Sequence, residues 1–344
     1  MDERDGRQHE CGQAIVVFAI FLAVLLCFLG VIIDGGMYYV ERRDMQGAAD
    51  AAALAAIREM PARPGAAATR AEEYAEGQNA DADGQLISYT PSDANRRVTV
   101  RVGKTGTQSF GSILGVNAPD ISATASARIQ MMGARPGMLP IAFMRDRFTV
   151  GDNEEVKWDD PGGGNRGAIA PEMQPTCGDA SGANDFRDLI KGEANGGVDA
   201  CATPIAETLD TEPGQMAGAT RQGFDGRLNG NTQSFGDVFQ IDPVTGFHTI
   251  EDPDSPRLGI VPIIENSDGT NVWPNGRSAP IRILGYMIVY IGNTDVSGNP
   301  AYTEGGKSVW MTPVRPLLPE DFVDGEFVDY NANLPSPVVF RLVD

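Results

Sequence analysis

The stretch AIVVFAIFLAVLLCFLGVII, Ala14 through Ile33, carries no charge and lies near the start of a 344-residue chain. As a helix rising about 1.5 Å per residue it spans roughly 30 Å, the thickness of a bilayer's hydrocarbon core. No later segment repeats that hydrophobicity, so the sequence predicts one membrane span. A secretory signal has an apolar stretch of only about 7–15 residues and a small-x-small cleavage site just after it. Here Asp34 occupies a position where such a cut needs a small residue, and small-x-small sequences return only from Ala48. The expectation is an uncleaved anchor. Cys11 precedes the apolar run instead of ending it, which argues against a lipoprotein. Arg4 and Arg7 on one flank balance Arg42 and Arg43 on the other, so charge leaves the orientation open.

The helical composition does not stop at the membrane. Met37 to Met60 is rich in Ala, Leu, Met, Arg and Glu, and the first proline is Pro61. Met37, Val40, Ala48, Ala52, Ala55 and Ala56 recur at three- and four-residue steps. A helix over 13–60 would be roughly 70 Å long, half of it outside the lipid. Two readings of the outer half stand side by side. It packs on its own domain, or Ala48, Ala52, Ala55 and Ala56 form an interaction face for other copies of the protein, a self-association through the N-terminal helix, because small residues let helix backbones approach closely.

Gly12-Gln13-Ala14-Ile15 opening the span, Asp34-Gly35 at its end, and Gln46-Gly47-Ala48-Ala49-Asp50-Ala51-Ala52-Ala53-Leu54-Ala55-Ala56 closing the helix resemble the N-terminal module of TadG-like proteins. These belong to the Tad (Flp) pilus assembly system of bacteria. The resemblance covers about residues 10–60. It implies a short cytoplasmic tail (residues 1–12), an extracytoplasmic bulk, and other Tad assembly or pilin subunits as partners. Pseudopilins related to that family are cut after a Gly and carry Glu five residues further on. Here the fifth residue after Gly12 is Val17, which argues against processing and against a major-pilin role.

The rest of the chain predicts an α+β fold. A small α+β, pilin-like unit is expected over 70–132: a helix over 70–79, strands over 86–90, 97–102 and 121–129, and a short helical turn over 109–114. Gly133 to Gly137 reads as a linker. A β-rich extracytoplasmic domain is expected over 138–344, with its clearest strands at 139–144, 257–264, 281–291, 309–312 and 338–343. Two helices, 185–191 and 215–228, interrupt it, and Gly230 is a natural stop for the second. The formal charge of −20 argues against a nucleic-acid partner and suits a solvated surface.

Candidate chemistry is sparse. Gly162-Gly163-Gly164-Asn165-Arg166-Gly167 matches G-x-G-x-x-G, but Asp159-Asp160-Pro161 precede it and Pro171 lies just beyond, so it reads as a glycine turn. Asn293, Asp295, Ser297 and Asn299, with Gly298 and Glu304, match the oxygen-ligand spacing of a calcium loop. A strand-like flank and only two carboxylates favour a polar hairpin instead. Asp295-x-Ser297-x-Asn299 also hints at a metal-dependent adhesion motif, but too little chain remains after it to build the fold that motif needs. The chain has two histidines, His9 and His248, too few for a zinc cluster. The paired acids Glu154/Glu155, Asp159/Asp160 and Asp252/Asp254 are of a kind that so acidic a chain produces by chance. No enzyme and no resident cofactor are expected. Cys177 and Cys201, the cysteines outside the membrane region, are expected to pair in an oxidising compartment. The reading is a single-pass, membrane-anchored structural protein of pilus assembly. The alternative is an anchored surface adhesin or binding module.

Overall fold

The computed structural model describes residues 10–60, 62–77, 84–157, 166–212, 216–270, 273, 280–303, 305–318 and 326–343, with no side-chain description at 10–13, 114 and 166. The chain divides into two units, Met1–Arg128 with Leu342–Asp344, and Ile129–Arg341.

In the first unit, α1 (Glu10–Glu59) is one unbroken helix that continues through Gly35 and Gly36. From Ala14 to Ile33 its apolar side chains are exposed, with Gly30 the one buried position among them. From Met45 onward the same helix turns amphipathic, burying Met45, Ala48, Ala49, Ala52, Ala53, Ala56 and Ile57, with Met60 buried just beyond its end, while Arg58 and, a turn earlier, Arg42 and Arg43 stay exposed. The covering elements are α2 (Ala67–Glu76), which buries Ala67, Ala71 and Ala75, and a sheet of β1 (Gln85–Ser92), β2 (Arg97–Thr105) and β3 (Asp120–Ala134). The strands pair antiparallel in the order β1–β2–β3, with Val98 opposite Ala127, Val100 opposite Ala125 and Val102 opposite Ala123. Every second residue of β2 to Val102 and of β3 to Ala127 is buried, as the period of a half-buried strand requires. Glu59, at the end of α1, accepts ion pairs from Arg63 at 2.7 Å and Arg70 at 3.2 Å, fixing the turn into α2.

This packing corrects one expectation. Ala48, Ala52, Ala55 and Ala56 do not face outward for another subunit. They are at most 8% exposed, covered by the unit's own elements. Periodicity announces that a face is buried; it does not say against what. The small side chains serve close packing of α1 within its own unit.

The second unit contains β4 (Ile141–Met144), β5 (Glu154–Lys157), β6 (Arg166–Ala170), β7 (Glu172–Met173) and β8 (Gly178–Asp179). Next come α3 (Gly182–Lys191), β9 (Thr208–Thr211), α4 (Ala217–Leu228), α5 (Phe235–Val238), β10 (Phe239–Ile241) and β11 (His248–Ile250). It ends with β12 (Leu258–Asn266), β13 (Ile281–Ile291), β14 (Ser308–Val314), β15 (Glu326–Asp329) and β16 (Val338–Val343), the last two residues of which are counted with the first unit. The main sheet is seven-stranded, β12–β4–β6–β9–β13–β14–β5, and an additional β12–β13 pairing closes part of it into a ring. The β12–β4 pair is parallel. β12 and β13 are near-continuous apolar runs because both faces of the sheet are covered. On one face Ile260, Ile264, Ile283, Tyr286 and Tyr290 pack with Val238 and Phe239; on the other Val261, Ile263, Met287 and Val289 pack with Phe186, Ile190 and Phe224. Arg227 of α4 is half-buried and donates to the carbonyls of Ile190, Pro256 and Leu258 at 2.8–3.2 Å, clipping both helices to the start of β12. Burial lowers its pKa to about 10.

Gly133 and Ala134, read from sequence as the start of a linker, instead end β3, where Ala134 pairs with Glu326 of β15. Gly133 serves close approach, since a Cβ there would meet Val328 Cγ1 at 2.7 Å. The helix expected over 185–191 begins earlier, at Gly182, with the Asp185 carboxylate accepting the Ser181 N–H at 3.0 Å. The second helix begins at Ala217, and Gln215 lies outside the described residues. Asn229, in the left-handed conformation, caps it ahead of Gly230.

His248 supplies a prediction here. It is 4% exposed, edge-on to the Phe235 ring at 6.0 Å. Burial pushes its pKa down, against a smaller opposing contribution from the Arg315 backbone. A depressed histidine pKa means the unfolded chain binds the proton more readily, so stability is fully present above about 6.5 and falls as pH drops below it. Melting temperature should fall between pH 7.5 and 5.5, and His248→Gln should flatten that slope. An equally steep slope in the variant contradicts the assignment.

Candidate functional site

The site with the most specific construction lies in the first unit, where α1 leaves its apolar stretch. Asp34 is the first charged residue after the span, and its carboxylate accepts backbone N–H groups from a loop far away in sequence. Oδ1 takes Ser109 N at 3.0 Å and Phe110 N at 3.1 Å, and Oδ2 takes Gly111 N at 2.6 Å. Two helical turns on, Glu41 accepts Thr107 N at 3.0–3.1 Å and faces Lys104 Nζ at 3.6 Å. Residues 34 and 41 share one face of the helix, so the loop over 106–116 is stitched along α1 by two carboxylates. Charge-assisted bonds of this kind are the stronger class. Phe110 lies on the helix at Gly30, where a Cβ would sit 3.0 Å from Phe110 Cβ. A 3₁₀ turn, Gly111–Leu114, comes next and is closed by Gly115 in the left-handed conformation. The residues that hold this junction were invisible to periodicity. The one signal was an acid placed immediately beyond an apolar span.

The other candidates lie in the second unit. Asn293 Oδ1 accepts Asp295 N at 2.9 Å and the Asn153 amide at 2.8 Å, and that same amide reaches Asp295 Oδ2 at 3.2 Å. The Asn299 carbonyl accepts Arg257 at 2.8 Å, and its side-chain amide points to the Gln233 carbonyl. Ser297 lies in the same β13–β14 loop, and Glu304 lies outside the described residues. A cation entering here would displace Asn153 and would approach a buried guanidinium. Among the described residues no group of three or more His, Cys, Asp or Glu side chains is placed to hold a metal. Of the G-x-G-x-x-G match, Gly162 to Asn165 lie outside the described residues, and Arg166 and Gly167 begin strand β6, not a helix. Cys177 and Cys201 form a disulfide with Cα atoms 5.8 Å apart. It joins the turn of the β7–β8 hairpin to a segment that already pairs with it through Met173 and Ala200.

The geometry defines an α+β protein with one N-terminal helix long and apolar enough to cross a membrane, and after it a large sheet-rich unit. Residues 12–69 match the family model of putative Flp pilus-assembly TadE/G-like proteins. The match covers most of α1 and the beginning of α2. No curated protein and no solved structure matches the chain.

Proposed function

We propose that this chain is a membrane-anchored component of Tad pilus assembly that works by association, as an assembly factor or a minor pilus component. The observation that carries the reading is the coincidence of the family match over 12–69 with a helix that exposes its apolar half and buries its outer half in a folded unit. The exposed half fits a bilayer, with the short N-terminal tail on the cytoplasmic side and both folded units outside. The partners are then the lipid and other Tad components. With the small-residue stripe engaged internally, such partners meet the exposed surfaces of the two units or the lipid-facing side of the span.

A photo-crosslinking residue at Phe28, 67% exposed on the span, tests this in native cells. Crosslinked products containing other Tad components in the membrane fraction are expected. The same label yielding products only with unrelated proteins, or a chain recovered wholly in the soluble fraction, contradicts the proposal. Recovery of the chain with sheared pili would assign the minor-component role; retention in the membrane would assign the assembly-factor role.

A further inference from the structure

We propose that the loop over 106–116 is a second membrane contact, inserting Phe110, Ile113 and Val116 into the bilayer leaflet on the Asp34 side of the span. Three observations carry this. First, these side chains are 42%, 78% and 54% exposed, a cluster of large apolar groups at a loop tip where water would otherwise cover them. Second, the loop is held against the last turns of the apolar stretch. Together with Leu26, Gly30 and Val31, the three residues line an open groove of about 550 Å³, continuous with the exposed face of the span. Third, Thr105 to Pro119 contains no charged residue, in a chain whose charged fraction is 22%. A chain of net charge −20 gains nothing from presenting acids to a lipid surface, and this segment has none.

The occupant of the groove is lipid acyl chain. The groove is an extension of a surface that already faces lipid, and its walls offer hydrocarbon. Asp34 then has a defined task. By accepting the N–H groups of residues 109–111 it satisfies backbone donors that would be costly at the edge of a bilayer. It also fixes the depth of the loop relative to the helix. The inference rests on α1 crossing a membrane, and the test separates the two claims.

The experiment uses the full chain in lipid nanodiscs, with Cys11→Ala and Cys27→Ala and the disulfide intact. A nitroxide is placed in turn at Phe21→Cys in the span, Ile113→Cys in the loop, and Ser92→Cys on an exposed strand end. Collision rates with oxygen, which concentrates in lipid, are compared with those of a water-soluble nickel chelate. The expected result is an oxygen-to-nickel ratio at 113 several-fold above that at 92 and approaching that at 21. Adding Asp34→Ala should lower the ratio at 113 toward the value at 92. A water-like ratio at 113 beside a lipid-like ratio at 21 overturns the loop contact while leaving the span intact. Spin–spin broadening at 113 that disappears on dilution with unlabelled chain would place a second copy in the groove and also overturn it.

Discussion

Replacing Ala52 and Ala56 with leucine lowers the stability of the N-terminal unit, by about 1–3 kcal/mol at each site. Both alanines are fully buried where α1 meets its own unit. Added methylene groups there force either off-rotamer side chains or separation of the helix from α2 and the sheet. The two sites are one turn apart, so their effects are not additive. Leucine is a good helix former, so helix propensity does not account for the loss. Thermal melting of the detergent-solubilised full chain checks this, with Arg43→Leu, on the exposed face, as a control expected to shift stability by no more than about 0.5 kcal/mol. An unchanged melt in the Ala52/Ala56 variant would mean that the face is free, and would return it to the role of an intermolecular surface.

Removing the disulfide with Cys177→Ser and Cys201→Ser is expected to be comparably costly. The bridge closes a sequence separation of 24 residues. Loop-closure entropy for that length gives on the order of 3 kcal/mol. For a unit of this size that corresponds to a fall in melting temperature of about 6–12 °C. The hairpin it secures is short, β7 and β8 having two residues each, and beside the bridge it is tied to the 199–201 segment by backbone bonds from Gln174 N to Asp199 O and from Cys201 N to Glu172 O. Calorimetry of the double variant against the oxidised chain reads the effect directly. Coincident melting curves would show that the covalent link adds nothing to the folded state.

Much of the fold was legible because its largest elements carry strong local signals. An uncharged run leading into Ala, Leu, Arg and Glu gives α1, and the apolar runs at 258–264 and 281–291 give the two central strands. The short strands β5, β9, β10, β11 and β15 have three or four residues each, too few for a period to show. β5, β9 and β15 are strands because longer neighbours offer them a ladder, as Val309 does for Val156, while β10 and β11 pair with each other. Gly133 shows the same limit from the other side. A glycine demanded by the approach of Val328 looks, in sequence, like a glycine in a linker.

The candidate site was half legible. Asp34 and Gly35 stand out at the end of the apolar run, but the loop that Asp34 binds lies 75 to 77 residues away. No local pattern encodes that distance. The alanine face was visible, and its partner was not, for the same reason. The calcium-like spacing at 293–304 illustrates the converse. The oxygen side chains stand at the right intervals, yet Asn153, distant in sequence, occupies the acceptor on Asn293.

The most direct measurement of the central claim is the count of pili on cells lacking this chain. Deletion should abolish or strongly reduce Tad pili and surface attachment. Expression of the full chain should restore both, and a chain whose 14–33 segment is replaced by a cleavable secretion signal should restore neither. Normal piliation and normal attachment in the deletion strain would contradict the account.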